Sequence, residues 1–239
     1  MIIQSFFLIQ IYINKNINSK SFPHIDKNFD LCYHTTYIGV IMNFVFDLDD
    51  TICETDEFSE YYINNFIKEN SLPIKQIATI TRYAESKFDW DDDTALSWYK
   101  KFGDEMMLNF PCKTNSIELI NNLYNAGHQI TIATARHTDW HTNPVEITKQ
   151  WLENNNIKYN KIYLGRIDKE KICEETNADI FVDDDIKMTE NVNKHYNNPN
   201  KKVFLMTTLF NKNLESTEGI IRIDNFAQLF EELKLLEII

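Results

Sequence analysis

The residues of this 239-residue chain with the most chemical capacity fall in three short clusters. Asp47, Asp49 and Asp50 follow the apolar run Phe44-Val45-Phe46; Thr134 and Ala135 follow Ile130-Thr131-Ile132-Ala133; Asp183, Asp184 and Asp185 follow Ile180-Phe181-Val182. If the three apolar runs are neighbouring parallel strands, their carboxyl ends share one rim, and the carboxylates and the hydroxyl collect there. Asp47 and Asp49 are two positions apart, so an extended chain puts both on one side. Carboxylates crowded this way raise one another's pKa unless a cation lies among them. Oxygen ligands without His or Cys suit Mg2+, which keeps several waters and uses one or two carboxylates plus a phosphate.

The elements that must hold these residues follow from periodicity. Strands are expected at 43–47, 129–135, 161–165, 178–185, 201–208 and 219–223. Helices are expected at 115–125, ended by Gly127, at 144–156, opened by Asn143-Pro144, at 168–177 and at 224–236. Continuous apolar strands alternating with helices predict an α/β fold: a Rossmann-like parallel sheet with helices on both faces. Residues 54–112 break the alternation. Phe58, Tyr62 and Phe66 stripe one helix, and a second helix over 95–110 is expected to be capped by Asp93 or Thr94 and ended by Pro111. This stretch reads as a small helical cap inserted after the first strand, leaving 42–53 plus 113–239 as the core.

The chain carries a net charge of −12 with a pI near 4.9. Extended nucleic acid needs a basic footprint, so it is excluded as a partner, whereas a small phosphorylated substrate is compatible with a metal that reverses the local sign. Four cysteines without a CxxC pair predict neither a zinc site nor a disulfide framework, and hence a reducing, cytoplasmic setting. Residues 1–41 read as a poorly ordered N-terminal extension. Its apolar opening, MIIQSFFLIQIYI, is too short for a membrane span and lacks the basic start and small-residue cleavage site of a signal peptide; a surface anchor is the rival reading.

The stretches DLDDT, ATAR, DKEK and FVDDD resemble, in order and spacing, the motifs of the haloacid dehalogenase (HAD) superfamily of phosphatases. The resemblance implies that Asp47 is a nucleophile forming an aspartyl-phosphate and that Asp49 is the general acid and then the base. It implies that Thr134, Ala135 and Lys169 bind phosphate, with Lys171 the alternative lysine. It further implies that Asp47, Asp49 and Asp184 hold Mg2+ with support from Asp183. The region 128–184 and the ending FLMTTLFNKN also resemble the 5′-nucleotidase and 5′(3′)-deoxyribonucleotidase branch, although the Pro and Arg of that branch are missing near LFNKN. That branch implies a nucleoside or deoxynucleoside monophosphate as substrate. A sugar phosphate or other small metabolite is the alternative, and a non-catalytic HAD-like binding scaffold is a third reading.

Further residues divide between a functional and a plain reading. Arg136 serves either phosphate or a nearby carboxylate. Trp90 and Trp98 are either cap core or a stacking face for a base. His137 and His141, four apart, line the rim rather than form a zinc site, which would need a third ligand. Asp50 and Asp185 read as loop or capping residues. Composition and motifs leave oligomeric state undetermined.

Overall fold

The computed structural model describes residues 40–139 and 141–239. The extension predicted at the N-terminus therefore lies outside the described residues, apart from its exposed last two, Val40 and Ile41.

Six apolar runs form the sheet: β1 (Asn43–Phe46), β2 (Gln129–Thr134), β3 (Lys161–Leu164), β4 (Ile180–Asp183), β5 (Lys202–Met206) and β6 (Ile220–Ile223). Their order is β3-β2-β1-β4-β5-β6 and every pairing is parallel. The order reverses direction beside β1, so the crevice between β1 and β4 is the switch point where such sheets bind ligands. The helices are α1 (Asp56–Glu69), α2 (Asp92–Asn109), α3 (Ser116–Asn125), α4 (Pro144–Asn154), α5 (Lys169–Thr176), α6 (Ile186–His195) and α7 (Phe226–Leu235).

Alternation along β1 explains the two covered faces. Phe44 and Phe46 stack on each other with centroids 5.9 Å apart, and Phe46 meets Phe226 of α7 at 6.4 Å. Val45 points the other way, into a cluster with Ala133, Ile172, Cys173, Phe181, Val192 and Val203 beneath α5 and α6. Both sides of the strand are dry, as its unbroken apolar sequence requires.

Several boundaries and one helix differ from the sequence reading. α2 is capped by Asp91, whose side chain accepts from Thr94 N at 2.7 Å, rather than by Asp93 or Thr94. The fourth strand stops at Asp183 instead of 185. α6 has no counterpart among the predicted helices; its apolar stripe is thin, but Asp185 caps it by accepting from Lys187 N at 2.9 Å. Gly127 ends α3 as expected, with φ +96°, a conformation costly for any other residue.

Between β1 and α3 lie α1, a short 3-10 turn (Ala84–Lys87) and α2. Lys87, almost fully buried, ties turn to helix through Asp56 at 2.7 Å and Glu60 at 3.0 Å. α2 packs along α4. The C-terminal end of α2 is fixed where Trp151 Nε1 donates to Phe110 O at 2.8 Å. None of the helices, among the described residues, is long and apolar enough to cross a membrane.

Candidate active site

Asp47 stands just past β1, Asp183 ends β4, and Asp184 follows it, so the switch point receives all three. One oxygen from each carboxylate lies within 4.8 Å of the others. Lys169, at the start of α5, donates to Asp47 Oδ1 at 2.5 Å and to Asp183 Oδ2 at 2.7 Å. Lys169 is 6% exposed, whereas Lys171 faces solvent, so of the two candidate lysines it is Lys169 that lies among these carboxylates. Asp168 places it by capping α5 through Lys171 N at 3.1 Å.

One lysine does not neutralise three carboxylates. Burial raises the Asp47 carboxyl to about 7; Lys169 pulls it down, but Asp183 and Asp49 push it back up. Burial, then Asp183 and Asp47, drives Asp184 well above the ordinary carboxylate range. The donor set is therefore short of positive charge and made only of hard oxygens, which fits Mg2+. Asp47, Asp183 and Asp184 would hold it.

The carboxylate of Asp49, the other residue expected at the metal, lies outside that trio. The chain leaves the sheet after Phe46, so the extended two-residue alternation need not hold from Asp47 to Asp49. Asp49 instead meets Arg136, with Nη2 at 2.6 Å from Oδ1 and Nε at 3.0 Å from both oxygens. Thr134 adds a hydroxyl at 3.2 Å. Burial alone would raise the Asp49 carboxyl; the Arg136 charge outweighs it and holds the group below its ordinary value. Arg136, predicted as a possible substrate contact, is 4% exposed and serves Asp49 in this state. Ala135 is exposed at the rim next to Thr134.

Trp98 is corrected outright: it is 0% exposed and belongs to the packed interior of the insertion, so it cannot stack on a ligand. Trp90 is half-buried against it, with ring centroids 5.6 Å apart, and its Nε1 donates to Glu85 O at 2.8 Å. The residues over Asp49 are different ones. Tyr99 of α2 stands edge-on to His141 at 6.0 Å. His141 is held neutral, its pKa pushed down to about 4 chiefly by burial, and its Nδ1 is buried without a hydrogen-bond partner.

Two supporting residues were given no role by the sequence reading. Thr51 Oγ1 approaches Asp184 Oδ1 at 3.4 Å. Asn211, 1% exposed, donates to Asp184 O and Met206 O, each at 2.8 Å, and so pins the loop after β4. Thr51 sat in plain view in the DLDDT stretch; Asn211 carries no local signal of proximity to the site. Asp50 caps α1 from upstream, accepting from Thr55 N at 2.8 Å. A pocket of about 270 Å³ opens beside Arg136 between the ends of β2 and β3, lined also by His137, Pro144, Leu164 and Arg166.

No family model and no curated protein matches the sequence. Solved structures do. CbbY from Rhodobacter sphaeroides, in complex with xylulose-1,5-bisphosphate, is 14% identical with TM-score 0.55, covering 80% of this chain and 96% of its own. A protein from Haemophilus somnus predicted to be a phosphoglycolate phosphatase is 15% identical with TM-score 0.55, covering 83% and 99%. The protein named as HAD-hydrolase YfnB of Bacillus subtilis, bound to magnesium, is 12% identical with TM-score 0.53, covering 81% and 99%. The chain thus has the α/β fold of HAD-superfamily hydrolases.

Proposed function

We propose that this protein is a Mg2+-dependent phosphomonoester hydrolase that works through an aspartyl-phosphate on Asp47. The observation that carries the reading is the meeting of Asp47, Asp183, Asp184 and Lys169 at the sheet's switch point. Asp47 attacks phosphorus; the Asp47 O–P bond forms, the ester O–P bond breaks, and Asp49 hands a proton to the leaving oxygen. Water then attacks phosphorus while Asp49 takes its proton, releasing phosphate and restoring the Asp47 carboxylate. Bound Mg2+ supplies charge neutralisation and alignment of phosphate oxygens. Lys169 orients Asp47, and Thr134 with the backbone at Ala135 receives phosphate. Arg136 keeps Asp49 ionised in the resting chain, the state needed for the second step; the first step requires that pair to loosen as substrate docks.

The substrate class is a small phosphorylated metabolite such as a sugar phosphate. The ligand of CbbY and the name of the Haemophilus protein support it. A nucleoside monophosphate is the second reading; with Trp98 buried, Trp90 is the expected aromatic left to stack on its base. Residues 54–112 act as the cap that selects among substrates. Phosphate release across a panel of sugar phosphates and nucleotides, with Mg2+ and with EDTA, tests both levels. Release only with Mg2+ supports the reaction class. No release from any member contradicts it and favours a binding scaffold.

A further inference from the structure

The insertion leaves and rejoins the core through two extended segments that touch. Cys53 and Cys112 face each other there as an isolated antiparallel bridge. The bonds on either side, Glu54 N to Pro111 O at 2.9 Å and Lys113 N to Ile52 O at 2.8 Å, make them a non-hydrogen-bonded pair. In such pairs the side chains share one face and the Cα atoms lie about 4.5 Å apart. A disulfide closes across Cα separations of roughly 4.4–6.8 Å. Both thiols are free, Cys53 buried and Cys112 half-buried. Cys53 Sγ also lies 3.8 Å from Asp49 Oδ1 and 3.8 Å from Arg136 Nη2, against the pair that governs proton transfer.

We propose that Cys53 and Cys112 are a redox modification site: a disulfide between them staples the neck of the insertion and slows turnover. With a small-molecule disulfide such as oxidised glutathione as oxidant, the Cys112 thiolate attacks one sulfur and expels a glutathione thiolate. Cys53 loses its proton and attacks the sulfur of Cys112, expelling the second glutathione. Two protein S–H bonds and one glutathione S–S bond are lost, one protein S–S bond forms, and two glutathione thiols carry the protons away. Cys112 reacts first because it is the more accessible. Burial pushes its thiol up to about 11, so the thiolate is scarce and the exchange is slow, responding to sustained oxidation rather than a brief pulse. The bond joins the two strands on which the insertion would swing and draws Cys53 away from Asp49. The bond itself does not depend on the phosphatase reading; its effect on turnover does.

The experiment uses the full chain carrying Cys32→Ser, held for hours in oxidised glutathione, then alkylated, digested and mapped by mass spectrometry. The expected product is a peptide pair joining Cys53 to Cys112, released by dithiothreitol and absent from the Cys112→Ser variant. Mg2+-dependent p-nitrophenyl phosphate hydrolysis should fall at least several-fold on oxidation and recover on reduction. Failure to form the linked peptide, or Cys112 linking to Cys173 instead, overturns the site. A fully linked chain with unchanged turnover overturns its regulatory effect. If the reduced chain hydrolyses nothing, the phosphatase reading falls, while the linked peptide still decides the cysteine pair.

Discussion

Replacing Lys169 with Met removes the one cation buried among Asp47 and Asp183 while nearly keeping its volume. Two charge-assisted hydrogen bonds, 2.5 and 2.7 Å long, disappear together. Deleting one partner of a buried ion pair costs about 3–5 kcal/mol, because the stranded charge remains. For a chain of this size that is a fall in melting temperature of about 10 °C. The pH dependence follows from Asp47. Its folded-state value of about 7 already exceeds the ordinary 3.8, so the folded chain binds more protons than the unfolded one, and stability drains as pH rises through that interval. Without Lys169 the carboxyl moves higher still. The deficit of the variant should therefore be wider at pH 8 than at pH 5, and Mg2+ at pH 8 should narrow it by restoring positive charge. Calorimetric melts of both chains, at both pH values, with Mg2+ and with EDTA, give the comparison. A Lys169→Met chain melting within about 2 °C of the parent at pH 8 in EDTA refutes the reasoning.

Arg136→Met should free the Asp49 carboxyl from the charge that holds it down, moving the acid limb of the kcat/KM profile to higher pH; an unmoved limb contradicts the pairing. His141 titrates at about 4 in the fold against an ordinary 6.5, so the unfolded chain binds more protons between these values and stability falls as pH drops through them. The loss should be ~2 kcal/mol after allowance for partial exposure, and His141→Gln should flatten it in denaturant titrations at pH 7 and pH 4.5. Trp98→Ala should cost about 3–5 kcal/mol of stability, since it empties a fully buried site. Trp90→Ala should raise KM for a nucleoside monophosphate but leave p-nitrophenyl phosphate unaffected if the nucleotide reading is right; equal changes in both remove its support.

The sheet was legible because strands buried on both faces leave unbroken apolar runs, as in Phe44–Phe46 and Ile180–Val182, and the polar residues ending them had to share a rim. What lay beyond one element's reach was not legible. The choice of Lys169 over Lys171 depends on which turn of α5 faces β1. The partnership of Asp49 with Arg136 depends on the path of the chain after the strand ends at Phe46, where the extended spacing argument stops. Asn211 and the Cys53–Cys112 pairing are set by long-range closure. α6 was missed because Met188 and Val192 give it too narrow a stripe to stand out; Asp185 was its one clear marker.

The proposed reaction stands or falls on whether Asp47 carries the phosphoryl group. The direct measurement is acid-quenched turnover of a 32P-labelled phosphomonoester with Mg2+, followed by peptide mapping. Label bound to the peptide containing Asp47, released by hydroxylamine and absent from Asp47→Asn, is the predicted result. Hydrolysis with no label on the chain, or Asp47→Asn turning over at the parent rate, contradicts it.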